Sequence, residues 1–344
     1  MPIPFEPALT FALVLPAHNE AAHVGEVIRA LPTWVDRVIV VDDASTDGTA
    51  GTVEALADPR VRVVRHDRNR GVGAAMRTGY RAALEQGVDL VGKMDADGQM
   101  LASELERLVE PFALAIADYT KGNRFYFPGK TVGMPAHRGF GNTALTFLSK
   151  LASGYWHVYD SQCGFTVVRA EFLRLMDLDR LPDGYFFENA MLIALNALNA
   201  RVIDVPTSTV YGAETSGVSV LRVLASFPLR LFSGGVRRFW RKHLVTDFGP
   251  IGAFTVAGTA AMLFGAIFGG YHWWVSVSTG VTATTGTVMI AALPLVMGAQ
   301  LLVQALALSV ASSPGAAETA AYVRMLIGRG TFVARSAADR HAGS

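Results

Sequence analysis

The chain has 344 residues, of which 51% are hydrophobic and 17% charged, and its formal net charge at pH 7 is +1. This balance, with no basic stripe, predicts no nucleic-acid partner, because such binding needs clustered Lys and Arg. The mean hydropathy of +0.32 exceeds what a soluble enzyme needs, so we expect part of the chain to lie in lipid. The single cysteine, Cys163, excludes an internal disulfide and a cysteine-based zinc cage, and it fits a reducing compartment.

Residues 1–215 alternate short apolar runs, typical of buried strands, with amphipathic stretches, typical of helices. The predicted strands are Leu9 to Leu15, Val35 to Val41, Val61 to Val64 and Asp89 to Met94. The predicted helices are Glu20 to Leu31, Asp47 to Leu56, Gly73 to Gln86 and Ala102 to Ala115. This order predicts an α/β fold with a mainly parallel sheet and helices on both faces. No basic segment precedes the first strand, so we expect no signal peptide and a cytosolic start.

A polar loop follows each of the four predicted strands. The loops are Pro16 to Glu20, Asp42 to Thr49, Asn69 to Gly73 and Asp95 to Gln99. Ligands of parallel sheets gather at the carboxyl ends of the strands. The sequence therefore predicts one binding cleft at this edge of the sheet.

The fourth loop carries Asp95 and Asp97, followed by Gly98 and Gln99. Carboxylates at this spacing can converge on one hard cation once a glycine bends the backbone, and the glutamine can add a neutral oxygen. So short a pattern also arises by chance, and a second copy, Asp177–Asp179, follows no strand and precedes no glycine. The motif alone leaves both a metal site and an incidental pair open.

Two common nucleotide motifs are missing from the sequence. The dinucleotide fingerprint Gly-x-Gly-x-x-Gly does not follow the first strand, and no phosphate loop ending in Gly-Lys-Ser/Thr occurs. Both absences argue against a nicotinamide-dependent dehydrogenase and against nucleoside triphosphate hydrolysis.

The chain contains no Asp, Glu, Lys or Arg over the 70 residues from Phe248 to Ala317. Since roughly 20 residues span a bilayer as a helix, this stretch suits two passes, which we place near 248–270 and 285–311. Two buried core helices are the alternative. Tyr271 to Trp274 fits an interfacial aromatic belt, and the arginines flanking the pair predict that both ends are cytoplasmic.

This pattern predicts four segments. They are a cytoplasmic catalytic domain (1–215), juxtamembrane amphipathic helices (216–247), two transmembrane helices (248–312) and a cytoplasmic C-terminal tail (313–344). We therefore expect a multi-pass protein of the cell (plasma) membrane.

The four strand-end loops, in this order and spacing, resemble those of family 2 glycosyltransferases. Gly122 to Arg124, Asp160 to Phe165 and the C-terminal hairpin are most similar to the branch that loads sugars onto polyprenyl phosphate, such as dolichol-phosphate mannosyltransferases and undecaprenyl-phosphate glucosyltransferases. The resemblance implies a GT-A fold. It also implies inverting transfer of a sugar from a UDP- or GDP-linked nucleotide-sugar donor to a polyprenyl phosphate acceptor in the lipid membrane.

The resemblance also implies which residues bind the donor. Pro16, Asn19 and Glu20 would line the nucleoside pocket, and Asp43 would accept a hydrogen bond from the base. A turn or helix-cap aspartate is the alternative for Asp43.

Asp95, Asp97 and Gln99 match the metal-binding motif of the branch, with Mg²⁺ or Mn²⁺ as the cofactor. Gly98 would supply the bend between the carboxylates and the glutamine.

On the acceptor side, Arg124 and Arg138 resemble the arginines of the branch that bind the acceptor phosphate, and Asn142 falls nearby where relatives carry a small hydroxyl residue. A solvated helix position is the alternative for Arg138. A phosphate monoester is already largely ionised near neutral pH, so Glu188 is interpreted as a sugar-hydroxyl or structural partner rather than an obligatory base. Residues 210–217 resemble a closing loop of the branch.

Two other functions stay open at this stage. One is transfer to a lipid or glycan hydroxyl, and the other is a catalytically inactive membrane scaffold that binds nucleotide sugar. A second copy of the chain is also left open as a partner.

Overall fold

The structure, a computed structural model, describes residues 9–126, 136–208 and 220–329, and it describes their side chains except in 136–144 and 220–226. The described residues form two compact units. The first contains the residues up to Gly235 together with those from Pro314 onwards, and the second contains Val236–Ser313. The chain therefore leaves the first unit once and returns to it.

A seven-stranded sheet organises the described part of the first unit. Its strands are β1 (Phe11–Ala17), β2 (Arg37–Asp42), β3 (Val61–Arg65), β4 (Leu90–Lys93), β5 (Tyr119–Asn123), β6 (Thr166–Arg169) and β7 (Val202–Pro206). The spatial order is β3-β2-β1-β4-β6-β5-β7. Strand β6 runs antiparallel to both of its neighbours, and the other pairs are parallel. The predicted mainly parallel sheet is confirmed.

Helices cover both faces of this sheet. In the first unit they are α1 (Val24–Arg29), α2 (Thr49–Glu54), α3 (Val72–Glu85), α4 (Leu105–Ala113), α5 (Ala136–Ser153), α6 (Ala170–Leu175) and α7 (Phe187–Ala197). Successive side chains of a strand point to opposite faces. In β1, Leu13 and Leu15 accordingly pack in one buried cluster with α1 and α4, while Ala12 and Val14 pack in another with α3 and α7.

The predicted elements of the first 115 residues occur with shifted bounds. The largest difference is the first helix, which begins at Val24 rather than at Glu20. Asn19 has a left-handed φ of 59°, and such a conformation does not continue a right-handed helix. The chain therefore makes a polar turn before α1.

The second unit contains a pair of long apolar helices, α9 (Pro250–Thr279) and α10 (Thr285–Ala311), preceded by α8 (Val220–Phe239). Both helices of the pair are long and apolar enough to cross a membrane, with a mean hydropathy of 1.9 in their most apolar windows. Only 17% and 6% of those windows are buried. The alternative of two core helices would require mostly buried windows.

The bounds of α9 correct one prediction. Tyr271 to Trp274 were expected between the two passes, but the helix continues through them to Thr279. No residue in this stretch stops a helix until Gly280, which takes a left-handed φ of 70°. The aromatic residues therefore lie in the last turns of α9.

Part of the stretch predicted as the C-terminal tail (313–344) forms a helix. Helix α11 (Ala316–Gly328) belongs to the first unit and packs against β7. Tyr322 is only 1% exposed, and its hydroxyl contacts Arg107 O at 3.0 Å and Glu110 Oε2 at 2.9 Å. After the hairpin the chain thus returns to cover an edge strand of the sheet.

Candidate active site

The carboxyl ends of β1, β2 and β4 lie side by side, and their loops line a cavity of about 580 Å³. Gly98, with a left-handed φ of 74°, bends the chain after Asp97 as predicted. The Gln99 backbone N–H then donates to Asp97 Oδ1 at 2.9 Å. The predicted site residues that line this cavity are Pro16, Glu20, Asp43, Asp95, Asp97, Arg124 and Glu188.

The acidic pair suits a cation that binds together with substrate phosphates. The described part of the chain contains no group of three or more His, Cys, Asp or Glu side chains placed to hold a metal. Mg²⁺, however, is commonly held by one or two carboxylates plus substrate phosphates and water. Asp95 and Asp97, both facing the cavity, fit that mode of binding.

Lys93 lies next to Asp95 in the lining of the cavity. It is the last residue of β4, its side chain is 3% exposed, and its Nζ forms an ion pair with Glu188 and lies 3.6 Å from Asp95 Oδ1. Burial alone would lower the pKa of this ammonium, but Asp95 and Glu188 outweigh burial and leave the pKa raised. Lys93 is therefore a fixed positive charge at the floor of the cavity.

Asp43 organises the loop after β3 while facing the cavity. Its Oδ1 accepts from Arg70 N at 2.9 Å, and its Oδ2 accepts from Gly71 N at 2.7 Å. His66 Nδ1 lies 2.7 Å from Oδ1, and because an ionised carboxylate only accepts, this nitrogen carries the proton. The other ring nitrogen, Nε2, lies 2.9 Å from Thr78 Oγ1. The structure thus gives Asp43 a loop-anchoring role alongside its position in the cavity.

Asn19 and Gln99 are not among the described residues that line the cavity. Asn19 instead holds the loop after β2, because its Oδ1 accepts from Thr46 N and its backbone N–H donates to Ser45 Oγ, each at 2.9 Å. Asp47 shapes the same loop by accepting from Ala21 N and Thr49 N. Asn19 therefore supports the pocket that it was predicted to line.

Arg124 follows β5, and its guanidinium forms two hydrogen bonds with one carboxylate. Nε donates to Asp160 Oδ2 at 2.7 Å and Nη2 donates to Asp160 Oδ1 at 3.1 Å. Next to it, Asn123 Nδ2 donates to Asp204 Oδ2 at 2.6 Å, and burial raises the pKa of Asp204 to about 7. The arginine is thus held rigidly where it meets the cavity.

Three predicted features lie outside what the structure describes. Arg138 and Asn142 fall in the first turns of α5, where side chains are not described, and residues 210–217 lie between the described ranges.

The loop before α7 closes another side of the cavity. The Asp183 carbonyl accepts from Gly73 N at 2.6 Å and from Ala74 N at 3.3 Å, so it occupies the N-terminus of α3. Arg77 binds the same loop through the Asp183 carboxylate. This contact fixes Gly184 and Tyr185 at the cavity wall.

The chain matches the protein family described as glycosyl transferase family 2 over residues 12–176. It is also 34% identical over 202 residues to the undecaprenyl-phosphate mannosyltransferase of Micrococcus luteus, an alignment that covers 57% of this chain and 82% of that protein. The chain belongs to glycosyl transferase family 2.

Further relatives have names of the same kind. The polyprenol monophosphomannose synthase of Mycolicibacterium smegmatis is 34% identical, with 60% of this chain and 79% of that protein covered. The UDP-N-acetylglucosamine–dolichyl-phosphate N-acetylglucosaminyltransferase of Methanococcus voltae is 28% identical, with 58% and 85% covered. The predicted resemblance to the polyprenyl-phosphate branch of family 2 is confirmed.

Solved structures confirm the GT-A fold expected of family 2. Glucosyl-3-phosphoglycerate synthase from Mycobacterium tuberculosis, in a complex with UDP, superposes with a TM-score of 0.51 at 22% identity. The match covers 68% of this chain and 81% of that one. A complex of the same protein with Mn²⁺, UDP and glucosyl-3-phosphoglycerate gives a TM-score of 0.50.

The cavity also includes residues that were not among the predicted site residues, among them Lys93, Gln162, Gly164 and Tyr185. Gln162 Nε2 is buried without a hydrogen-bond partner among the described residues. The sequence does mark Lys93, because a charged residue at the end of an otherwise apolar strand must find a partner when it is buried. Gln162 and Gly164 lie in the stretch from Asp160 to Phe165, which carried the resemblance without giving either residue a role, and Tyr185 lies in a loop with no periodic pattern.

Proposed function

We propose that this family 2 protein transfers a sugar, with inversion, from a UDP- or GDP-linked donor to polyprenyl phosphate at the cytoplasmic face of the membrane. The observation that carries the proposal is the convergence of Asp95, Asp97, Asp43 and Arg124 on one cavity at the carboxyl ends of the strands. The relatives named for polyprenyl-phosphate sugar transfer support the acceptor.

Asp95 and Asp97 would hold Mg²⁺ or Mn²⁺ together with the diphosphate of the donor. When bound, the cation neutralises the diphosphate charge and acts as a Lewis acid on the leaving group. Asp97 is prepared for this role because its Oδ1 is oriented by the Gln99 backbone N–H.

In the proposed reaction, an oxygen of the lipid phosphate forms a bond to the anomeric carbon while the bond from that carbon to the donor diphosphate breaks. The nucleoside diphosphate leaves with the electron pair, and no proton has to be removed from an ionised phosphate. Arg124 would orient one of the two anions, since a guanidinium fork suits phosphate. Asp160 holds this fork in place.

Glu188 fits a structural partner better than a base in this scheme. Its carboxylate forms an ion pair with the buried Lys93 ammonium. A carboxylate engaged in this way is a poor choice for taking a proton from an acceptor hydroxyl. The pairing therefore favours a phosphate acceptor.

The proposed membrane location rests on the exposed apolar surface of the C-terminal helices. Windows of α9 and α10 that are this apolar and this exposed would be covered by lipid. Helix α8 buries Phe227 and Leu231 in the first unit, yet it leaves other large apolar residues exposed beside its arginines. These exposed residues are Leu229, Phe232 and Val236, and Trp240, which directly follows the helix, is exposed as well. Such a surface suits an anionic membrane interface.

The test mixes the purified protein with a panel of UDP- and GDP-sugars and polyprenyl phosphate, with and without a chelator, and measures sugar that extracts into organic solvent. We expect a lipid-linked product from at least one donor, lost on chelation. No lipid product from any donor, despite bound nucleotide, would contradict the proposal.

A hydroxyl acceptor is the second candidate, because Glu188 does reach the cavity. Glu188→Gln distinguishes the two acceptors. A base removed from a hydroxyl acceptor costs about 10²–10⁴ in rate, whereas a phosphate acceptor predicts that measurable turnover remains.

A further inference from the structure

Lys93 contacts two carboxylates that come from distant parts of the chain. Its Nζ forms an ion pair with Glu188, the second residue of α7, and lies 3.6 Å from Asp95 Oδ1 on the loop after β4. The side chain is fully enclosed, at 3% exposure. One ammonium group therefore sits between a predicted cation ligand and an acid that lines the same cavity.

The space around this ammonium is closely fitted. A Cβ on Gly164 would lie 2.9 Å from Lys93 Nζ and 2.9 Å from Asp95 Oδ2, so a larger residue there would displace at least one of these groups. On another side, the ring centroid of Phe187 is 6.0 Å from Nζ. The Lys93 ammonium is thus enclosed between Gly164 and Phe187.

The cavity lining carries more negative than positive side chains. The described residues that line it include five carboxylates but only two Lys or Arg side chains, Lys93 and Arg124. Arg124 is already engaged by Asp160, which leaves Lys93 as the charge next to Asp95 and Glu188. Without Lys93, no positive charge would stand between Glu188 and Asp95, and an added carboxylate tightens divalent-cation binding.

We infer that Lys93 is a positioning residue that keeps Glu188 out of the cation site, so that a divalent cation binds well only when the donor diphosphate supplies the missing ligands. This inference rests on the proposed cation site at Asp95 and Asp97. It assigns the lysine a regulatory effect on cation binding: the cation arrives with the nucleotide and departs with it.

Two variants that break the same ion pair separate this role from a merely structural one. Lys93→Met removes the positive charge and releases Glu188, whereas Glu188→Gln keeps the positive charge and removes the extra ligand. Both should lower the melting temperature, because Lys93→Met leaves the Glu188 carboxylate without its ammonium partner and Glu188→Gln removes one of the two carboxylates that contact the buried Lys93. Their effects on cation binding should be opposite.

The measurement is Mn²⁺ binding to the purified full-length chain, followed by electron paramagnetic resonance of free Mn²⁺, with no nucleotide, with UDP and with GDP. For the wild type we expect weak binding of Mn²⁺ alone and at least tenfold tighter binding with one of the two diphosphates. Lys93→Met should bind Mn²⁺ alone roughly tenfold more tightly than the wild type. Glu188→Gln should bind it more weakly, and the double variant should return towards the wild type.

Equal shifts in the same direction for both single variants would overturn the role of Lys93 and leave a structural ion pair. Tight Mn²⁺ binding by the wild type without nucleotide would overturn that role alone and leave the proposed transfer intact. Absence of Mn²⁺ binding with either diphosphate would contradict the cation site itself, and with it the proposed function.

Discussion

At the scale of single residues, the site is a set of side chains held by their neighbours before any substrate arrives. Asp43 is fixed by two backbone N–H groups and His66, and Arg124 is fixed by Asp160. Groups that are preorganised in this way lose little freedom when the reaction begins. We therefore expect substitutions in the cavity to reduce transfer far more than they reduce stability.

Asp97→Ala is the sharpest of these substitutions. It removes one of the two carboxylates proposed to bind the cation, and we expect transfer to lipid to fall below detection while membrane insertion is unchanged. The assay is organic-extractable sugar from membranes with matched protein content.

The second Asp-x-Asp pair provides the matched control for Asp97→Ala. Asp177 and Asp179 make ion pairs with Arg180 and Arg81, away from the described lining of the cavity. Asp177→Ala should retain transfer activity close to that of the wild type. Equal losses for the two variants would show that Asp97 has no special role.

The raised pKa of Asp204 predicts that the stability of the protein depends on pH. Burial raises its pKa to about 7 from an ordinary value of 3.8, so between these two values the folded state binds more protons than the unfolded state. Stability contributed by the protonated group is therefore lost as pH rises from about 4 to about 7. Asp204→Asn should gain on the order of 2–4 kcal/mol over the wild type across that window, as measured by denaturant unfolding at several pH values.

Asp118 provides a control, because its contribution to stability changes with pH in the opposite direction. Burial alone would raise its pKa, but hydrogen bonds from Arg201 outweigh burial and lower it. Stability from Asp118 is therefore present above about pH 4 and is lost on acidification. A rise in stability of the wild type relative to Asp204→Asn between pH 4 and 7 would contradict the assignment of Asp204.

At the scale of elements, local sequence patterns predicted the strands and helices of the first 115 residues. They did not predict that β6 lies between β4 and β5 in the sheet. Its pairing with β4 joins Leu90 to Arg169, and no local periodicity encodes a partner so far along the chain. The same limit applies to Lys93, whose position in an apolar strand was visible while its partner Glu188 was not. By contrast, Asp95 and Asp97 follow the end of β4 directly, so the sequence alone was sufficient to predict that they face the cavity.

Helix α11 was missed because the sequence does not show what its apolar residues pack against. Leu326 is 3% exposed in the core of the first unit, whereas its neighbour Ile327 is 56% exposed. We expect Leu326→Ala to lower the free energy of unfolding by about 2–4 kcal/mol, as measured by denaturant unfolding. Ile327→Ala should change it by less than about 0.5 kcal/mol, and comparable losses for both would argue against this packing.

At the scale of the whole molecule, an apolar hairpin is inserted between two parts of one unit. Its helices approach closely where Gly258 faces Gly298, since a Cβ on Gly258 would lie 2.9 Å from Gly298 O. Because the chain leaves and re-enters the same unit, two passes would return it to the side of the membrane from which it came. The positive flanks predict that this side is the cytoplasm.

Cysteine labelling tests this topology, and the natural cysteine does not interfere. Burial raises the pKa of Cys163 to about 11, so it should stay unreactive. We expect a membrane-impermeant maleimide to label Thr282→Cys in intact cells, and to label Ser312→Cys only after permeabilisation. Labelling of Ser312→Cys in intact cells would contradict a cytoplasmic end for the hairpin.

The central claim is that the acceptor is a phosphate carried by a polyprenyl chain, and the most direct measurement compares two acceptors that differ only in that group. With an active donor, polyprenyl phosphate and the matching polyprenol are each incubated with the protein, and the extracted lipid is analysed by mass spectrometry. The proposed mechanism predicts a polyprenyl-phosphate monosaccharide and no glycosylated polyprenol. Glycosylation of the polyprenol at a comparable rate would contradict it.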